Sequence, residues 1–547
     1  MNKPTKTTII ILLLLSAMLL AACSDVKNNR DVNAPNYETP QNLTNADTDG
    51  SATSDTEPEY EFNDHQSLFY PVTLRRYSEN LQMEDITSYE PLSEMSGFEG
   101  AGYIKLEEGW RADFELNLPT AQHYTFGLRM YSDDAVITLS VQNEKQGGFY
   151  LKESRGFTDV YLRGVYLEAG NNRVSLAQEK GTGLLDSLTI RDFELDEWAD
   201  TRFNVTRTPA NPNASSAVRL TMEYFGEVFG EKIILAQHVT PGTNAEIGAI
   251  FTATGRFPVI RFSDMMRYSR SYTGNKPAND DIDLAVEWAR NGGLVGYDWT
   301  WYSPSTSGTP NEPFDTTPND STNHYYAVMS DFNLNAAFTT ENIAELAAES
   351  VFSMYQAGTI SRSCYELVLE IDHMAENLAR LRDENAVVLW RPLHQAGTRW
   401  FWWGNCEPEA YKWLWRLMFE RFGKLHGLDN LIWVWAGQNA EYYPGDSYVD
   451  VIGEDIYNMD NASNLPAFIR TSNYSDRNRF AALTETGVIP SPDLLNRDRA
   501  MWLWAALYRG DYLIDHRGRL ASMYNQRDRL ERAYNHELTI TLDKFNP

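Results

Sequence analysis

Two regimes of hydrophobic periodicity divide the chain. Between residues 67 and 198, apolar and polar positions alternate in short runs: Trp110-Arg111-Ala112-Asp113-Phe114-Glu115-Leu116, then 124–131 and 135–141. Val160-Tyr161-Leu162 follows, and after the turn Gly170-Asn171-Asn172 comes Arg173-Val174-Ser175-Leu176. Side chains on a strand alternate between its two faces, so this period of two predicts an antiparallel, jelly-roll-like β-sandwich. From 217 to 547 the pattern changes. Continuous apolar runs at 232–236, 257–262, 294–299, 386–390, 431–435, 449–453 and 481–484 alternate with amphipathic stretches at 282–290, 365–382 and 411–422. Strands apolar on both faces and separated by helices predict a parallel sheet, here an α/β (β/α)8 TIM barrel. Residues 199–216, with Pro209 and Pro212 among polar neighbours, read as the linker of a multidomain chain.

The first 66 residues follow neither pattern. Lys3 and Lys6 precede an apolar run at 9–20, which ends in Leu20-Ala21-Ala22-Cys23. That run is shorter than the roughly 20 residues a membrane-spanning helix needs. With its basic start and small residues before a cysteine, segment 1–23 resembles a bacterial lipoprotein signal, which implies lipidation of Cys23 and an extracytoplasmic, cell-surface location. Residues 24–66 are rich in Asn, Asp, Thr, Ser, Glu and Pro and lack a core, so they are expected to form a disordered tether. After Cys23 only Cys364 and Cys406 remain. Outside the cytoplasm they form a candidate disulfide, with two separate buried thiols as the alternative.

Charge narrows the partners. A net charge of -29 repels polyanions, which argues against nucleic acid. No Gly-rich phosphate loop, His-Glu-x-x-His or metal-spaced Cys/His cluster occurs, so nucleotide chemistry and a catalytic metal have no support and no cofactor is expected. The chemistry concentrates in Trp390-Arg391-Pro392-Leu393-His394-Gln395-Ala396-Gly397-Thr398-Arg399-Trp400-Phe401-Trp402-Trp403-Gly404, which leaves a predicted strand. Indole faces stack on the C–H faces of pyranose rings, while Arg, His and amide groups hydrogen-bond hydroxyls. That mixture predicts a sugar-binding cleft with Arg391, His394, Trp400, Trp402 and Trp403 on the ligand. Other polar residues at predicted strand ends are Asp264, Asp298, Asp455, Tyr457 and Glu485, and a carboxylate such as Glu485 can serve as nucleophile in glycoside hydrolysis.

Several motifs in order make the barrel region resemble glycoside hydrolase family 26, whose members are mostly retaining β-mannanases. They are Arg391-Pro392-Leu393-His394, Trp400-Phe401-Trp402-Trp403-Gly404, Gly453-Glu454-Asp455-Ile456-Tyr457-Asn458 and Thr484-Glu485-Thr486-Gly487, preceded by Gln237-His238 and Asp264. The resemblance implies Glu485 as nucleophile, Tyr457 as the residue orienting it, Asp455 beside them and β-mannan or a related plant polysaccharide as substrate. The earlier segment resembles carbohydrate-binding module family 35, through Gly97-Phe98-Glu99-Gly100-Ala101-Gly102-Tyr103, 167–174 and Leu185-Asp186-Ser187-Leu188. That resemblance implies calcium as a candidate ligand of the module, although no dense acidic loop locates an ion.

Two positions depart from the family pattern. The acid/base glutamate after the histidine is Gln395, and the histidine of the Trp-His-Trp motif is Thr300. An amide cannot deliver a proton to a leaving oxygen. Three expectations therefore stand together: a weakened mannanase, a surface glycan-binding protein that has kept the cleft, and a hydrolase of xylan or mixed-linkage β-glucan. Asp298, of the same strand parity as Thr300, is the best candidate for a substitute acid, ahead of Glu384 and Glu441.

Overall fold

The computed structural model describes residues 102–547 except 273–278, 305–323, 459, 476–477 and 522. It also describes residues 92 and 94–99 and two earlier strands, β1 (Tyr70–Thr73) and β2 (Ser78–Gln82). The expected signal, Cys23 and the tether lie outside the described residues. Among the described residues, no helix is long and apolar enough to cross a membrane.

The alternating segment forms β3 (Ile104–Leu106), β4 (Arg111–Leu118), β5 (Gln122–Val141), β6 (Glu144–Leu151), β7 (Thr158–Leu167) and β8 (Gly170–Asp192). With β1 and β2 they make an eight-stranded, mainly antiparallel sheet. The long strand β5 pairs with β8 along most of its length and divides its remaining pairing between two others: Gln122 to Met130 pair with β7, and Ala135 to Val141 with β6. Phe126, Leu128, Leu139, Leu176 and Leu188 fill its core. The β5–β6 hairpin turns through Gln142 and Asn143, both with positive φ, the backbone that a tight right-twisted hairpin requires.

The second regime closes into a parallel barrel. Its strands are β9 (Ile233–His238), β10 (Ile260–Asp264), β11 (Leu294–Trp299), β12 (Val388–Pro392), β13 (Leu431–Trp435), β14 (Val451–Ile456), β15 (Phe480–Thr486) and β16 (Trp504–Leu507). They pair in chain order, and β9 closes the ring between β16 and β10. A short β17 (Thr539–Ile540) pairs with the start of β9. Leu389, Ile432, Val434 and Ala482 share the core that includes Ile234 and Phe262, whereas Trp390, Trp433 and Trp435 pack in the cluster with helical residues such as Leu378 and Trp415. Burial on both faces explains why these strands are continuous apolar runs.

The surrounding helices are α1 (Leu195–Arg202), α2 (Ser216–Val228), α3 (Ala245–Thr254), α4 (Asp281–Arg290), α5 (Leu334–Ala337), α6 (Ala348–Gln356), α7 (Arg362–Asp383), α8 (Pro408–Glu420), α9 (Leu465–Ser472), α10 (Pro492–Arg497) and α11 (Arg527–Tyr534). Helix α2 shows how sequence sets these elements. The Ser215 hydroxyl accepts from Val218 N and caps the start, and Val218, Met222 and Phe225 return to one buried stripe.

The β unit is mounted directly on the barrel. Gly164 of β7 lies so close to Leu465 and Ile469 of α9 that an added Cβ would sit 2.8 Å from both. His123 Nε2 lies 2.9 Å from Asp498 Oδ1, and the Arg497 guanidinium, which donates to Asp498, stacks 3.7 Å from the Tyr166 ring centre. The expected linker is also tied down, since Ala210 N donates to Asp450 at 2.6 Å.

Of the two alternatives for the cysteines, the structure shows the separate thiols and not the disulfide. Cys364 and Cys406 are separate, free and buried thiols. Cys364 begins α7, whereas Cys406 donates to Trp403 O at 3.3 Å. Burial pushes both up to about 12, so they behave as inert core groups.

Candidate active site

A cleft of about 430 Å³ opens at the C-terminal ends of the barrel strands. Its lining includes His238 from β9, Asp264 from β10, Asp298 from β11 with Thr300 beyond it, and His394 and Gln395 after β12. Asp455 from β14, Tyr457 just past it and Glu485 from β15 complete the polar floor.

Local backbone irregularities aim these groups. Leu483 pairs with Glu454, and Glu485 with Asp455, so Thr484 is an extra residue in β15. Such a bulge redirects the side chains that follow it. Here Thr484 Oγ1 donates to Asp455 Oδ1 at 2.7 Å while Glu485 faces the cleft. After β12 the chain passes through positive φ at Leu393, Gln395 and Arg399. A left-handed non-glycine residue costs on the order of 1–3 kcal/mol and persists where surrounding bonds over-determine it. Gln395 N donates to Ala436 O at 2.7 Å, Gly397 N to Gly437 O at 2.8 Å, and Tyr411 Oη to Leu393 O at 2.9 Å.

Arg391 organises the charges. Its Nη1 donates to Asp298 Oδ1 at 2.8 Å and Glu485 Oε1 at 2.7 Å, and its Nη2 donates to Asp455 Oδ2 at 2.5 Å. One guanidinium thus faces three buried carboxyl groups. Burial opposes ionisation of Glu485, but Arg391, His238, His394 and the hydroxyl of Tyr457, which donates to its Oε2, outweigh it and hold the group at about 2. The other two acids give way. Burial and the Glu485 charge push Asp298 up to about 8 and Asp455 to about 7, against the partial relief of Arg391. Burial also pushes His394 down to about 3 and His238 to about 4, so both imidazoles are neutral. His238 Nε2 donates to Thr484 O at 2.8 Å.

Gln395 is tied into the same network. Its Nε2 donates to Asp455 Oδ2 at 2.7 Å, the oxygen that Arg391 also holds. Asp455 Oδ2 thus accepts from both Arg391 and the Gln395 amide nitrogen, while its Oδ1 accepts from Thr484. Thr300 stands against Asp264, donating from Oγ1 at 2.6 Å and from N at 3.1 Å.

Three expected ligand contacts are corrected. Arg391 is fully buried and its Nη1 and Nη2 donate to carboxyl groups, so it holds the floor of the cleft and not the sugar. Trp402 and Trp403 are also buried: their Nε1 groups donate to Trp301 O at 2.7 Å and His394 O at 2.8 Å. They buttress the loop that carries His394 and Gln395. Of that motif, Trp400 and Phe401 reach the cleft, joined by Tyr326, Tyr508 and Tyr512. Glu384 and Glu441 do not line it; they pair with Arg290 and Lys152. Sequence reasoning also missed Lys145 and Tyr150, which enter the cleft from β6.

His238, Asp298 and Glu485 are the one group of three metal-capable side chains among the described residues. Arg391 Nη1 already bonds both of its carboxylates, so a cation would meet a fixed positive charge there. No such group occurs in the described part of the β unit.

The pH response of stability follows from these shifts. Between about pH 4 and 8, Asp298 and Asp455 hold protons in the folded protein that the unfolded chain has released, so stability falls as pH rises through that window. Glu485 acts oppositely, but its contribution is lost only as pH falls below its ordinary range. His238 and His394 also act oppositely, because below about pH 6.5 the unfolded chain protonates them and the folded protein does not. Urea midpoints are expected to decline from about pH 6.5 to 8, where the histidines are neutral in both states, by a fraction of the roughly 1.4 kcal/mol per unit that one proton allows. Asp298→Asn should flatten the slope; a wild-type midpoint that climbs across the window would contradict the assignment.

A parallel barrel with an ionised, hydrogen-bonded carboxylate and aromatic walls at its strand ends defines a glycosidase-type site. Residues 210–544 match Glycosyl hydrolase family 26, and the chain belongs to that family. A mannan endo-1,4-beta-mannosidase of Thermothelomyces thermophilus is 27% identical over 454 residues, 82% of this chain and 86% of that protein. The crystal structure of the Podospora anserina GH26-CBM35 β-(1,4)-mannanase superposes with a TM-score of 0.53 at 27% identity, covering 86% of this chain and 99% of the other. A β-mannanase from a symbiotic protist of the termite Reticulitermes speratus, complexed with gluco-manno-oligosaccharide, gives 0.51 at 25% identity, over 62% and 98%.

Proposed function

We propose that this protein is an endo-β-1,4-mannanase-type glycosidase whose turnover of natural chains is slow because Gln395 stands at the acid/base position. The observation that carries this reading is the pairing of an ionised Glu485 with a neutral amide in one cleft. Glu485 attacks the anomeric carbon, with Tyr457 and Arg391 holding its oxygens in position. In a retaining reaction the second carboxyl protonates the departing oxygen and later activates water. Gln395 does neither, so the leaving sugar departs without a proton from that position. Asp298 is a poor substitute: it shares Arg391 Nη1 with the nucleophile and therefore lies on the nucleophile's side of the reacting centre.

A surface glycan-binding protein without turnover is the second reading, favoured by the paired departures at Gln395 and Thr300. The β unit is read as a carbohydrate-binding module, and Cys23 as a lipid anchor at the bacterial surface.

Calorimetry with the full chain after Cys23 tests both readings. Binding to β-mannan is expected, with xylan and mixed-linkage glucan weaker; no affinity for any of the three would defeat the proposal. An activated aryl mannoside should be cleaved far faster than mannan, because its leaving group needs no proton. Azide should then trap the glycosyl-enzyme as a β-azide, and Glu485→Gln should abolish that product. Persistence of the azide product in that variant would displace Glu485 as nucleophile.

A further inference from the structure

The cleft wall contributed by the β unit has the build of a sugar platform. Tyr150 lies on β6, two residues beyond Gly148, and is 60% exposed. Its ring folds back over that glycine: an added Cβ there would stand 3.3–3.4 Å from the ring atoms. The Arg470 guanidinium lies 5.6 Å from the ring centre and is itself fixed by Glu454 at 2.7 Å. Glu454 directly precedes Asp455, so the support of this ring runs straight to the floor of the active site. Lys145, at the start of the same strand, lines the cleft with its ammonium 3.3 Å from Glu179. The strand cannot drift from the barrel easily, since Lys152 pairs with Glu441 and neighbouring β7 packs Gly164 onto α9.

An exposed, flat and supported aromatic ring in a cleft for neutral sugars is suited to stacking on a pyranose face, and an ammonium beside it to hydroxyl contacts. We infer that Tyr150 and Lys145 form a distal pyranose-binding subsite, through which the β unit completes the substrate cleft of the barrel and selects longer chains. The inference rests on the reading of the cleft as mannan-binding and names a further part of it.

Calorimetry on the full chain with manno-oligosaccharides from two to six units is the test. Wild-type affinity should keep rising with length, and Tyr150→Ala should lose roughly ten-fold on the longest chains while leaving the shortest unchanged. Tyr150→Phe, which keeps the ring, should behave as wild type, and Lys145→Ala should show a smaller loss of the same length dependence. Tyr161→Ala removes an exposed tyrosine of β7 outside the cleft and should change nothing. An equal loss at all lengths, no loss in Tyr150→Ala, or a matching loss in Tyr161→Ala would overturn the subsite. A wild-type chain that binds no oligosaccharide would instead overturn the functional reading beneath it.

Discussion

Gln395→Glu is expected to raise kcat/KM on unactivated β-mannan by about 10²–10⁴-fold, the usual worth of a positioned general acid. The backbone needs no adjustment, because the left-handed conformation at this position is held by Ala436 O and not by the side chain. The introduced carboxyl would replace an amide that lies 2.7 Å from Asp455 Oδ2. Two carboxylates that close cannot both ionise, so one retains a proton at neutral pH. Asp455 is already pushed up to about 7, and the new group would share that burden. A raised carboxyl at the mouth of the cleft is what protonation of a leaving sugar requires. Steady-state kinetics on mannan, with calorimetry to show that affinity changes little, measure the effect. Wild-type turnover equal to that of the variant would mean that some other group already supplies the proton.

Arg391→Met is expected to destabilise the folded protein by about 3–5 kcal/mol, the typical cost of removing one partner from a buried ionic cluster. The substitution keeps most of the volume but leaves Asp298, Asp455 and Glu485 facing one another without a cation. Their folded-state proton affinities must rise, so the folded variant binds more protons than the unfolded chain up to a higher pH. The penalty should therefore be small near about pH 4 and grow toward pH 8. Urea unfolding at both ends of that range measures it. A deficit independent of pH would indicate lost packing and not lost charge compensation. Glu485 would also lose its main source of acidity, so azide trapping on an aryl mannoside should fail even where the variant remains folded.

The barrel was legible because parallel strands covered on both faces leave continuous apolar runs, and helices between them leave a 3.6-residue stripe. Asp298, Asp455 and Glu485 were legible for a related reason: a polar residue ending such a run stands at the mouth of the barrel. Two of the three expected tryptophans do not reach the cleft. Indole can stack on sugar or fill a core, and Trp402 and Trp403 took the second course because the carbonyls of Trp301 and His394 were placed to accept their N–H groups. Trp301 is distant in the chain, so composition could not reveal that satisfaction. Arg391 was assigned to the substrate for the same reason; three carboxyl groups from three other strands claim it.

By itself, the order of residues determined the barrel, the strand ends that carry the chemistry, and the replacement of a proton-donating side chain by an amide at position 395. Those properties depend on periodicity and residue identity, which are local. Folding decided which groups meet. The bulge at Thr484 aims Glu485, the shared oxygen of Asp455 orients Gln395, and the docking of β6 brings Tyr150 to the cleft. Each depends on through-space geometry between segments far apart in the chain, where hydrogen-bond distance and burial, not sequence spacing, set the charge and direction of every group.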